Sequence, residues 1–94
     1  TMNYLFASLI RCGKLAGPFE SLFVGFWEQY LDATGDRELA EVIAPFYAWR
    51  GLVVGSPVWY PRLPDGVREA VFRFIENVLA ERRFDHRNAN RYLA

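Results

Sequence analysis

Apolar side chains recur along this chain with the period of an α-helix. Between residues 19 and 31 they fall at intervals of three and four, the pattern of one wide apolar face on a helix. The members of this face are Phe19, Leu22, Phe23, Phe26, Trp27, Tyr30 and Leu31. Residues 39–53 are apolar on nearly every side, so we expect that segment to be packed on nearly every side. No segment shows the strict alternation that indicates a β-strand.

Glycine and proline residues divide the pattern into four predicted helices. These helices span residues 2–13, 18–34, 36–54 and 64–83. Pro18 suits a first helical position, Gly35 a left-handed C-terminal position, and Asp36 an N-cap. Because the connection at Gly35 is short, we expect the second and third helices to be antiparallel neighbours. Pro45 predicts a kink near residues 41–44. The prediction is an all-α fold of about four helices with short connections.

Residues 55–63 form one ordered, proline-rich loop in this prediction. Pro57 and Pro61 restrict the backbone on both sides of Trp59 and Tyr60. Two large rings in such a loop serve either as a lid folded onto the core or as the rim of a substrate pocket. Trp59 and Tyr60 are therefore candidate substrate-binding residues. Of the two roles, we expect the lid.

Tyr47 and Arg50 are two further candidate substrate-binding residues, and both lie on the third predicted helix. An arginine on a buried helix beside Trp49 either binds an acidic group of a substrate or pairs with an internal carboxylate or a helix C-terminus. Both interpretations stay open here, and we expect Arg50 to pair with an internal carboxylate or a helix C-terminus.

Polar residues outside these segments are expected to face solvent. Glu28 and Asp32 lie on a predicted polar face of the second helix. Residues 82–94 form a mostly polar tail, in which we expect no more than a short terminal turn. Asp85 and His86 are adjacent in that tail, where a catalytic dyad would not be held in place.

Composition excludes several classes of function. Eleven Lys and Arg residues balance eleven Asp and Glu residues, so the chain lacks the basic footprint of a protein that binds nucleic acid or an anionic membrane. Cys12 is the only cysteine, which excludes an intramolecular disulfide and indicates a reducing, cytoplasmic compartment.

One His and one Cys cannot supply a closed zinc site, and no glycine-rich phosphate loop is present. No apolar run reaches the roughly 18–20 residues of a membrane span. We therefore predict no catalytic residue and no metal site in this chain.

Two segments carry a resemblance to a known family. They are Phe26-Trp27-Glu28-Gln29-Tyr30 followed by Gly35, and the stretch from Leu39 to Phe46 that closes with Tyr47-Ala48-Trp49-Arg50-Gly51-Leu52. In this order they resemble the C-terminal helical subdomain of the aminoglycoside phosphotransferase and choline kinase-like family. Residues 2–10 are similar to the helix that follows the metal-binding aspartate of that family.

The resemblance implies an enzyme that transfers the γ-phosphoryl group of ATP or GTP to a hydroxyl of a small molecule, with Mg²⁺. It implies that residues 1–94 are a single helical subdomain, a C-terminal fragment of a larger kinase-like lobe that supplies part of the wall around the acceptor substrate. The catalytic residues would lie before Thr1, in an N-terminal kinase-like portion that would be the partner of this chain, and the fragment alone would be inactive.

A non-enzymatic role is the alternative. A helical ligand-binding or dimerisation module, such as the regulatory half of a bacterial transcription regulator, also has aromatic helices around a small-molecule pocket. Under either hypothesis we expect four helices not to cover all the aromatic surface, and the exposed part to favour a homodimer.

Overall fold

The structure, a computed structural model, describes residues 1–94 and consists of helices joined by turns and one loop. Five α-helices and a terminal 3₁₀ helix follow one another along the chain. They are α1 (Met2–Cys12), α2 (Gly17–Thr34), α3 (Leu39–Val42), α4 (Ala44–Val54), α5 (Asp65–Ala80) and the 3₁₀ helix (His86–Leu93). The all-α prediction is confirmed. The number of helices differs because the third predicted helix is divided and the tail is itself helical.

The ends of α1 and α2 lie at the glycines that the sequence indicates. Gly13 and Gly35 adopt left-handed backbone angles, with φ of 78° and 66°, and their N–H groups close the last helical turn. Asp36 does not cap the next helix, because that helix begins only at Leu39 and the Asp36 carboxylate accepts from Tyr30 Oη at 3.4 Å instead. Glu38 occupies the N-cap position of α3 instead, so the predicted cap was wrong.

Pro45 divides the third predicted helix as expected. α3 ends at Val42 and α4 begins at Ala44, within the segment where a kink was predicted. Ile43 between them keeps helical angles, with φ −72° and ψ −24°, and its N–H and carbonyl continue the hydrogen-bond pattern on both sides. The proline has no N–H to donate, so the break is local and the chain direction changes without a loop.

The helices pair differently from the expectation. α4 packs along α5 and α1 along α2, whereas no Cα atom of α2 lies within 8 Å of one in α3 or α4. Gly51 permits the close approach of α4 to α5, because a β-carbon there would lie 2.8 Å from two side-chain atoms of Ile75. The predicted antiparallel pairing of the second and third helices is therefore wrong, since α5 offers α4 the closer surface.

The tail after α5 is part of the core. Phe84 is only 5% exposed, and its backbone N–H donates to Ala40 O at 2.8 Å. The Phe84 ring lies 5.0–6.2 Å from five other aromatic rings: Phe23, Trp27, Tyr47, Phe74 and Tyr92. Asn90 pairs through its side chain with both backbone groups of Leu15, at 2.8 Å each. The expectation of a polar tail with a short turn was wrong, because its few apolar residues all turn inward.

The apolar segment around α4 is only partly covered. Four of its side chains are more than half exposed, and we call this set the aromatic stripe. It consists of Val42, Phe46, Trp49 and Leu52. Phe46 and Trp49 are 66% and 68% exposed, so the prediction that aromatic surface stays exposed is confirmed. The prediction that residues 39–53 are packed on nearly every side was wrong, because α5 and α1 cover one side of α4 only.

Candidate functional site

The proline-rich loop separates its two rings. Trp59 is 71% exposed, so it is not a lid on the core. Tyr60 is half-buried, and its ring meets the Phe6 ring edge-on at 5.2 Å. Arg68 fastens the loop from α5, since its Nε donates to Gly55 O at 2.9 Å and its Nη2 to Tyr60 O at 2.8 Å. The lid role therefore falls to Tyr60, while Trp59 projects from an ordered loop.

Tyr47 lies in the core, where it lines a small pocket of about 50 Å³. Its hydroxyl accepts the indole N–H of Trp27 at 2.8 Å and lies 2.7 Å from Thr1 Oγ1. Burial raises the pKa of the Tyr47 hydroxyl from 10.0 to about 12. The hydroxyl is thus a satisfied core group that stays protonated at neutral pH, and its helical spacing alone did not distinguish this role.

Arg50 does not make the internal carboxylate pair that we expected. Its Nη2 donates to Asn3 Oδ1 at 3.0 Å, and no carboxylate lies within ion-pair distance. The contact joins α4 to the first turn of α1. The four candidates therefore do not meet in one pocket, because Tyr47 and Arg50 contact the start of α1 while Trp59 projects from the loop beyond α4.

A groove formed by distant parts of the chain was not predicted. It lies between the C-terminal end of α2, the turn into α3 and the segment before the 3₁₀ helix, and its volume is about 610 Å³. We call it the arginine groove. Its lining consists of Glu28, Leu31, Asp32, Arg37, Ala40, Arg83, Phe84, Asp85, His86 and Arg87. The volume falls within the range of small-molecule sites, about 300–1,000 Å³.

Glu28 lines one end of the arginine groove and contacts two residues of the C-terminal segment. Its carboxylate accepts a hydrogen bond from Arg87 Nε and lies 3.2 Å from His86 Nε2. These two hydrogen bonds, that of Arg87 first, lower the pKa of the Glu28 carboxyl from 4.5 to about 2. The His86 ring also stacks on Trp27, with centroids 5.4 Å apart and an angle of 11°. Glu28 stays at the surface as expected, with 40% of its side chain exposed, but it also binds two residues of the C-terminal segment.

Asp85 and His86 do not form a dyad. The Asp85 carboxylate accepts from the Arg87 backbone N–H at 3.2 Å and from Asn88 Nδ2 at 2.8 Å, which lowers the pKa of the Asp85 carboxyl, chiefly through the Asn88 bond. His86 turns to Glu28 instead. The two partners are separated by 58 residues, and no local sequence pattern indicates such a contact.

Comparison with models of protein families, with characterised proteins and with solved structures gave no match to this chain. None of the helices has the length and apolar character needed to cross a membrane. No cluster of three or more His, Cys, Asp or Glu side chains is placed to hold a metal ion.

Proposed function

We propose that this chain is the helical, acceptor-substrate side of a small-molecule phosphotransferase that uses ATP or GTP. The observation that carries the proposal is the aromatic stripe. Three of its four residues lie on α4, whose residues 47–52 resemble the close of a helix in the aminoglycoside phosphotransferase family. The segment that carries the resemblance thus also carries exposed apolar surface that another part of the protein could cover.

The chemistry of the aromatic stripe suits a permanent contact with a kinase-like portion. Contiguous exposed apolar surface is typical of protein contacts, and large aromatic rings are enriched at the centres of interfaces. Burial of a side chain such as Phe46 or Trp49 stabilises a contact by about 1.5–3 kcal/mol. Exposure of both rings in this chain is consistent with a surface that a second portion covers.

Trp59 has the features of a rim residue for the acceptor. Its ring is exposed, while Arg68 and two prolines order the loop that carries it. An ordered loop loses little conformational entropy when a ligand binds. In this proposal Trp59 packs against the acceptor, and Tyr60 anchors the loop on Phe6.

The test uses the complete product of the gene that encodes this chain. The purified product is incubated with Mg²⁺ and ATP or GTP, and nucleoside diphosphate release is measured with a panel of hydroxyl-bearing small molecules. We expect release that depends on one class of acceptor. Release that no acceptor stimulates, together with no measurable nucleotide binding, would contradict the proposal.

A dimerising ligand-binding module is the second candidate, and the aromatic stripe is again the observation that favours it. Sedimentation of the chain as it stands tests whether the stripe joins two copies. The second candidate requires a dimer that Phe46→Ser and Trp49→Ser dissolve and that Val58→Ser, a still more exposed position outside the stripe, leaves intact. A monomer over the accessible concentration range contradicts it.

A further inference from the structure

We propose that the arginine groove binds a small organic anion, a carboxylate or a phosphate ester, through Arg37 and Arg83. This site is separate from the aromatic stripe and from Trp59, and it depends on neither of the functions proposed above. The evidence is the balance of charges inside the groove, the contacts that fix its walls and the apolar surface between them.

Two of the three arginines in the groove have no carboxylate partner. Arg87 is paired with Glu28. Neither Arg37 nor Arg83 has an acidic oxygen within ion-pair distance. Arg83 Nη2 instead donates to the backbone carbonyl of Arg37 at 3.3 Å. That bond holds the Arg83 side chain beside the turn into α3, where Arg37 also lines the groove.

The acids of the groove are mostly committed to other partners. Glu28 accepts from Arg87, and both oxygens of Asp85 accept hydrogen bonds from its own segment. Asp32 is the exception, since its carboxylate has no hydrogen-bond or ion-pair partner in the chain. The groups without an oppositely charged partner are therefore two guanidinium groups and one carboxylate, all on exposed residues. We infer that the guanidinium groups bind an anion, and that Asp32 accepts from a hydroxyl or ammonium of the same ligand.

The walls of the groove are fixed at both ends. Phe84 N donates to Ala40 O at 2.8 Å, which joins the segment after α5 to α3. At the other end His86 stacks on Trp27. Because these contacts are made within the chain, little ordering of the backbone is required when a ligand binds. Leu31, Ala40 and Phe84 provide apolar surface between the charged groups for the body of the ligand.

The chemistry of the free groups sets the class of ligand. A guanidinium group presents N–H donors in a planar fork that matches the oxygens of a carboxylate or a phosphate. A volume of about 610 Å³ accommodates more than an inorganic ion. The ligand is therefore an anion with a short apolar body and a second polar group.

The test titrates the chain with phenyl phosphate, with benzoate and with neutral benzyl alcohol, and follows amide chemical shifts by NMR. We expect saturable binding of at least one anion, weaker binding at high salt, and no binding of the alcohol at the same site. Preference for phenyl phosphate identifies a phosphate ester as the natural class, and preference for benzoate a carboxylate. Shifted amides should lie in α2, α3 and residues 83–87.

Matched variants test whether the anion binds in the arginine groove. Arg37→Gln and Arg83→Gln should each weaken anion binding by about tenfold, the loss expected for one charge-assisted contact. Arg82→Gln is the control, because Arg82 is the exposed neighbour of Arg83 and does not line the groove. Arg37 makes no side-chain contact that folding needs, so Arg37→Gln remains informative if Arg83→Gln proves unstable. Equal weakening in Arg82→Gln, or no saturable binding of either anion, would overturn the proposal.

Discussion

Replacement of Phe84 by alanine should destabilise the fold more than its position in a polar tail suggests. The side chain is 5% exposed, and its ring touches aromatic residues from α2, α4, α5 and the 3₁₀ helix. Those partners are Phe23, Trp27, Tyr47, Phe74 and Tyr92. Removal of the ring therefore opens a cavity where four elements meet.

The expected loss follows from burial. A buried Phe→Ala change costs about 3–5 kcal/mol, because the transfer free energy of the ring is lost and a cavity remains. Natural domains have about 0.05–0.15 kcal/mol of stability per residue, so a 94-residue chain has only about 5–14 kcal/mol in total. Phe84→Ala should thus remove a large share of the unfolding free energy. Phe84→Leu should cost less, since leucine fills part of the space.

Urea denaturation followed by circular dichroism measures the effect. Phe46→Ala is the matched control, because the same side chain at that position is 66% exposed, and its unfolding free energy should change by no more than about 0.5 kcal/mol. A loss for Phe84→Ala of less than about 1 kcal/mol, or one equal to that of the control, would refute the packing of residues 84–93 as part of the core.

Two further predictions concern Glu28 and the helical glycines. Because the hydrogen bond from Arg87 is the main cause that holds the Glu28 pKa at about 2 rather than 4.5, the folded chain binds fewer protons than the unfolded chain between those pH values. The stabilisation by the Glu28 carboxylate is therefore full above about pH 4.5 and lost as the pH falls toward 2. In that window the unfolding free energy of Glu28→Gln should depend less on pH than that of the unaltered chain. An unchanged dependence would contradict the pairing of Glu28 with Arg87. Gly51→Ala should lower the melting temperature, because the new β-carbon lies 2.8 Å from Ile75 and overpacking costs about 1–3 kcal/mol. Gly25→Ala, with no atom within 4 Å, should instead raise the unfolding free energy by about 0.5–1 kcal/mol, and a loss there would show that α2 is packed differently.

Helix ends and breaks could be predicted from the sequence because they depend on local backbone geometry. Gly35 permits a left-handed end, and Pro45 removes an N–H from the helix. Both features are in place in the structure, at the end of α2 and between α3 and α4. The predicted cap at Asp36 failed because α3 begins only at Leu39, beyond the reach of a cap at Asp36.

The exposed side of α4 could not be predicted from periodicity. A helix that is apolar all round gives no phase that distinguishes a covered face from an uncovered one. Tyr47 and Trp49 are both large aromatic residues, yet Tyr47 is buried against Trp27 and Trp49 is exposed. The difference depends on which other helices pack against each side of α4, and the tertiary fold determines that.

The arginine groove depends on contacts between residues far apart in sequence. Glu28 and Arg87 are 59 residues apart, and Arg37 and Arg83 are 46 apart. The one local signal for this groove is Phe84, a large apolar residue in a polar segment, and it was not interpreted as an anchor. Of the predicted site residues, Trp59 is exposed, Arg50 and Tyr60 are half-buried and Tyr47 is buried.

Acceptor kinetics of a Trp59 variant test the proposed function most directly. In the complete gene product, Trp59→Ala should raise the KM for the acceptor by about tenfold, equivalent to about 1.4 kcal/mol of lost contact. The KM for the nucleotide and the melting temperature should stay unchanged, because Trp59 is 71% exposed and supports no core contact. Leu79→Ala, an exposed position on α5, should alter neither KM. An unchanged acceptor KM in Trp59→Ala, or a rise in the nucleotide KM instead, would contradict the assignment of this chain to the acceptor side.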